Sequence, residues 1–214
     1  MNKLEVLYRM SKTMKGKNNI KGNVSFVGKS KDVEFANVTN NFEKDVENKT
    51  MKIDANIVVN TEDVQVTKSV KKDLDFNKMH EHHHGHHGHH GKCKKNKFAK
   101  LEMLFKTLND MELIENGDEK VIQLDIKEML DKKVEKMKAM HEAMGDKKEC
   151  MHKCECEDLK ELIKVKHAIF KEVCHGNYDK VMLKLTINKD FEIQSVNIKA
   201  NGEKEVEFNA ELNY

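Results

Sequence analysis

The chain has 214 residues, 38% hydrophobic and 36% charged, which suits one good-sized domain or two small ones. Its 39 Lys+Arg against 37 Asp+Glu leave a formal charge of +2, too balanced for a typical nucleic-acid binder. No run approaches the ~20 apolar residues that would cross a membrane, so a transmembrane segment is not expected.

Lys3 to Lys15 reads as an amphipathic helix, with Leu4, Leu7, Tyr8 and Met14 near helical spacing and Gly16 as its stop. The N-terminus lacks the apolar core of a secretory signal, so a cytoplasmic location is expected. Strands follow. Ile20, Val24 and Phe26 share one parity. Val33 and Phe35, or Ala36 and Val38, suggest a second strand in either of two phases. Met51, Ile53, Ala55, Ile57 and Val59 alternate with polar residues, as a strand with one wet face does. Val64, Val66 and Val70 suggest a fourth, before a polar stretch from Lys71 to Lys78.

Next comes Met79 to Lys97, where eight of the chain's twelve histidines lie between His80 and His90, broken only by glycine and one glutamate. Neither a helical nor a strand period accounts for imidazoles at nearly every position. Gly85, Gly88 and Gly91 weaken a helix and free the backbone. His80, His82, His83, His84, His86, His87, His89 and His90, with Cys93 just beyond, make a ligand set for a borderline divalent transition metal. Zn or Ni is the first expectation, with Co or Cu also compatible. A low-complexity loop that binds metal only in vitro is the plainer alternative.

After this tract the period changes. Phe98, Leu101, Leu104, Phe105 and Leu108 form a helical stripe, Asn116-Gly117 a turn, and Val121 to Ile126 a short strand. Lys127 to Met144 reads as helix and ends at Gly145. A cysteine-rich loop, Glu149 to Glu157, precedes a third long helix capped by Asp158 and ending before Gly176. The last third alternates most clearly. Val181 to Ile187, Phe191 to Ile198 and Val206 to Tyr214 make a three-stranded meander. Phe191 and Ile193 are out of phase with Val196 and Ile198, which predicts a bulge near Gln194 or Ser195.

These elements predict an α+β fold: a long curved antiparallel sheet with helices packed on one face. Three segments are expected, a helix with strands over 1–78, a His-rich loop over 79–97, and helices with a meander over 98–214. The first and last would belong to one domain.

The cysteine loop offers a second ligand group. Cys150, His152, Cys154 and Cys156 put three thiols and an imidazole within seven residues. Cys150 and Cys154 have the spacing of a Zn-binding turn, whereas Cys154-x-Cys156 is tight and suits a softer ion. Exposed loop thiols with no ligand are the plainer reading. Cys174-His175 lies about 16 helical residues away, roughly 25 Å at 1.5 Å each, too far to join that loop. Five cysteines make an odd set and argue against a disulfide framework.

Catalysis has little support. The chain holds no Gly-x-Ser-x-Gly and no phosphate-binding P-loop, and His80-Glu81-His82 lies within the His run, without the helix that a His-Glu-x-x-His motif needs. Cys174 and His175 are adjacent on a helix and point about 100° apart, so they do not make a dyad. A non-enzymatic protein is expected.

The amphipathic N-terminal helix and the C-terminal strands of Val181–Tyr214, joined by Asn-Lys-Asp and Asn-Gly turns, resemble the half-barrel lipoprotein-carrier superfamily. The likeness covers residues 1–76 and 97–214 as a pattern of elements and carries no site residue with it. It implies helices held against the concave face of the sheet and acyl-chain binding there. The His-rich insert is similar in composition to tracts of nickel- and zinc-handling proteins. Members of the carrier superfamily are generally exported, and this chain shows no signal.

Two functions are therefore expected. The first is metal binding for storage, buffering or delivery through the His tract, helped by the Cys loop. The second is a carrier for an apolar small molecule or lipid, in a cavity lined by residues such as Phe26, Ile53, Leu183 and Phe208.

Overall fold

The structure, a computed structural model, describes residues 1–77, 97–144 and 157–214, with side chains over 1–77, 104–136 and 161–214. Helix α1 spans Lys3–Lys15. Asn2 caps it, its side chain accepting from the Leu4 amide, and Gly16 closes it with amide bonds to the Thr13 and Met14 carbonyls. A four-strand meander follows: β1 Asn19–Ser30, β2 Val33–Asp45, β3 Thr50–Asn60 and β4 Gln65–Asp75. Then come α2 Lys97–Asp110, β5 Glu112–Asn116, β6 Glu119–Asp125, α3 Lys127–Met144 and α4 Glu157–Cys174. Strands β7 Tyr178–Ile187, β8 Ile193–Gly202 and β9 Lys204–Asn213 finish the chain.

The nine strands among the described residues join one antiparallel sheet in the order β4-β3-β2-β1-β9-β8-β7-β6-β5. The first and last strands of the chain's sheet, β1 and β9, pair from Lys21↔Asn213 to Ser30↔Lys204. That pairing joins the early meander to the late one.

Register explains the alternation in the sequence. Directly paired residues share a face. One row runs Val66, Val59, Ala36, Gly28, Val206, Ala200, Val181. The next runs Ile57, Val38, Phe26, Phe208, Ile198, Leu183, Leu124. A third contains Val70, Ala55, Asn40, Val24, Ala210, Val196, Leu185 and Ile122. A single apolar face thus crosses most of the sheet. The other face carries ladders such as Lys21–Glu43–Lys52–Asp73.

Two bulges resolve the phase slips. Lys29 pairs with Glu34 and Gly28 with Ala36, so Phe35 is the extra residue of β2. Both phases of the Val33–Val38 stretch are therefore real, one on each side of Phe35. The Phe35 ring lies against Gly28, where an added Cβ would run into it. In β8, Ser195 pairs with Thr186 and Ile193 with Ile187, leaving Gln194, one of the two expected positions, as the bulge residue. Gly117, at φ +60°, makes the tight β5–β6 turn that Asn116-Gly117 signals.

Three strands exceed their sequence signal. β2 runs on through Asn40 and Asn41 to Asp45, and β4 through Lys71 and Lys72 to Asp75. Polar side chains there sit among few apolar neighbours in sequence, so ladder pairing, not composition, extends them. β5 is a strand because Leu113 pairs opposite Ile122.

The buried core forms two clusters. In one, Val165 of α4 meets Phe35, Ala36, Val59, Tyr178, Val181, Ala200 and Val206, with Leu130 of α3 against it. In the other, Val6 of α1 meets Met111, Ile122, Leu124 and Ile187. Val6 and Ile187 are fully buried, at 0% exposure.

Candidate functional site

Helix α4 carries Leu162, Val165, Ile169 and Val173 at intervals of three and four, which align on one stripe. Only Val165 is fully seated in the core. Between this stripe and the sheet residues Val38 and Ile57 lies a groove of about 380 Å³. Its lining is Val38, Ile57, Leu162, Val165, Lys166, Ile169, Phe170 and Val173. That volume lies in the lower part of the range of small-ligand sites, and such sites are mostly apolar with few polar groups.

Ion pairs hold α4 over the groove. Lys68 of β4 donates to Glu161 at 2.7 Å, and Lys171 to Asp63 at 2.6 Å. Lys204 pairs with Glu172, and its ammonium also lies 5.8 Å from the Phe35 ring centroid. The Asp63 carboxylate beside Lys171 raises that lysine's pKa. Most of these groups are part-exposed, so each pair contributes little singly. Together they tie the helix at its two ends, and Val165 and Ala168 bury its middle.

Two polar atoms of the interior are unpaired among the described residues: Asn40 Oδ1 and Tyr178 Oη. Asn40 is the one polar side chain in its row, between Val24 and Ala55. Tyr178 lies under the C-terminal end of α4, and burial pushes its hydroxyl up to about 12.

A larger hollow of about 610 Å³ opens over the charged ladders, lined by Lys21, Asn23, Asn41, Glu43, Lys52, Asp54, Lys71 and Asp73 among others. Its groups satisfy one another across strands: Lys21–Glu43 at 2.9 Å, Asn23–Asn41 at 2.8 Å and Lys71–Asp54 at 2.9 Å. Lys21 holds the Glu43 carboxyl below its usual range. Cross-strand pairing accounts for this hollow. The smaller groove is the stronger candidate, because helix and sheet both wall it and its lining is apolar.

The expected metal ligands His80, His82, His83, His84, His86, His87, His89, His90 and Cys93 lie outside the described residues, as do Cys150, His152, Cys154 and Cys156. Among the described residues, no group of three or more His, Cys, Asp or Glu is placed to hold a metal. Cys174 ends α4, at the far end of an 18-residue helix from the Cys loop. Of the four expected cavity residues, Phe26, Ile53, Leu183 and Phe208, none lines the groove, while Ile53 lines the larger hollow. Phe26 is paired with Val38, and Phe208 with Phe26, in the row that supplies the groove floor. The right face was legible; which helix would border a groove on it was not. Lys166 was missed, since one lysine among many on α4 carries no signal until the groove is seen.

No protein-family model matches the chain, and a search of curated proteins finds no match. No helix among the described residues is long and apolar enough to cross a membrane.

Proposed function

We propose that this protein is a non-enzymatic carrier that holds a single apolar chain, such as an acyl chain, between α4 and the sheet. In this reading the sheet is curved, the helices cover its apolar face, and the molecule works as a half-open shell. The observation that carries it is the groove over Val38 and Ile57, walled by Leu162, Ile169, Phe170 and Val173. Burying one methylene of a ligand there is worth about 0.8 kcal/mol, so a chain of ten or more carbons supplies enough to offset the cost of association. Organic extraction of the purified protein followed by mass spectrometry tests it. A bound lipid, together with its loss in Ile57→Trp, is the expected result. Lipid-free protein that also fails to take up a fluorescent fatty acid would overturn it.

A second reading rests on the eight histidines in eleven residues. The tract would capture Zn or Ni for buffering or delivery, with Cys150, His152, Cys154 and Cys156 as a tighter site. Affinity would fall as pH drops through about 6.5, because protonated imidazole does not ligate. Elemental analysis of untagged protein beside a variant lacking Met79–Gly91 decides it. Several equivalents that vanish with the deletion support the tract. One surviving equivalent moves the site to the cysteines, and no metal in either removes this reading.

A further inference from the structure

We infer that the groove selects a single-chain amphiphile with an anionic head, a carboxylate in the simplest case, whose charge is met by Lys166. This rests on the carrier reading and adds the ligand's polar end to it. The groove lining has seven apolar side chains and one ionisable group, Lys166. The other charged α4 residues that reach the sheet are already matched: Glu161 by Lys68, Lys171 by Asp63 and Glu172 by Lys204.

Lys166 has no such partner among the described residues. Its helical neighbours at i−4 and i+4 are Leu162 and Phe170, and those at i−3 and i+3 are Ile163 and Ile169. No acid stands where an intrahelical pair would form. The residue is exposed, yet it borders the groove. A lysine placed this way lays its methylene stem along apolar surface and keeps its ammonium in water. A chain lying on Val38 and Ile57 would share that surface with the stem. Its head group would then emerge beside an uncompensated positive charge. A neutral head gains nothing there, whereas a carboxylate gains a charge-assisted hydrogen bond.

The size of the effect follows from exposure. An ion pair at a wet rim is worth up to about 1 kcal/mol, so the preference is about two- to fivefold in Kd. The test compares dodecanoate with methyl dodecanoate, identical in chain and different in head charge, by displacement of a fluorescent fatty acid from the full chain. The intact protein is expected to bind dodecanoate about two- to fivefold more tightly, with the gap closing at high salt. Lys166→Gln should remove the gap by weakening dodecanoate alone, and Lys166→Arg should keep it. Circular dichroism of each variant checks the fold, which a surface substitution leaves intact. Equal binding of both probes to the intact protein, or a gap that survives in Lys166→Gln, overturns this inference and leaves the carrier reading standing. Binding of neither probe to the intact protein overturns both.

Discussion

Helices α1 and α4 meet the same sheet in different ways. From α1, Val6 drops into a closed cluster with Met111, Ile122, Leu124 and Ile187. Lys3 donates to the Leu108 carbonyl at 3.1 Å, and Lys17, just past the helix, pairs with Glu192. The result is a sealed contact. From α4, Val165 is buried and Ile169 and Val173 pack part-buried against its cluster, while together with Leu162 they border the groove over Val38 and Ile57. Both helices are tied near their ends, α1 through Lys3 and Lys17 and α4 through Glu161, Lys171 and Glu172, so the difference lies in what each helix borders. One contact is built for stability and the other leaves room.

This contrast can be broken from either side. Ile187→Ala in the sealed contact should cost about 3 kcal/mol in urea denaturation, while Ile57→Ala at the groove floor should cost about 1 kcal/mol, because that side chain is only part-buried. Equal costs would mean that the groove closes in solution. Ile57→Trp should fill the space and abolish uptake of a fluorescent fatty acid, with stability changed by no more than about 1 kcal/mol. Unchanged uptake would place the ligand elsewhere.

Tyr178 sharpens the comparison. Its hydroxyl is buried without a partner, so Tyr178→Phe should raise stability by up to about 1 kcal/mol at neutral pH. Burial holds its pKa near 12, against 10 for the free side chain. The native state therefore keeps a proton that the unfolded chain loses. Stability is full below pH 10 and falls as pH rises towards 12, and Tyr178→Phe should remove that part of the loss. Tyr214, also pushed up to about 12, would retain its share.

The smallest effect lies at the α2–α3 junction. The Lys106 ammonium, then Lys132, drives the Glu128 carboxyl down to about 2. Its contribution is present above pH 4.5 and lost as pH falls towards 2. Glu128→Gln should flatten thermal stability slightly across that window, and an unchanged acid profile would show that these exposed pairs hold nothing.

Much of the fold was legible. Helix α1 falls on the expected residues because its apolar spacing and Gly16 stop are local signals. The Gln194 bulge followed from a parity slip, since a strand can change faces only by adding a residue. Strand β5 and the far halves of β2 and β4 were not legible, because Asn40, Lys71 and Lys72 carry no strand preference of their own. The groove was foreseen only as a face. Lys166 could not be foreseen, because the absence of a partner is a property of three-dimensional neighbours.

The amino-acid sequence by itself determined the elements, the apolar face and the His-rich tract, for these depend on spacing along one chain. Tertiary structure alone decided that β1 and β9 join two meanders into one sheet, that α4 rather than α1 borders a groove, and that Lys166 at that groove has no ion-pair partner among the described residues. Those outcomes depend on which distant residues meet, and pairwise packing between segments more than a hundred residues apart leaves no mark on local periodicity.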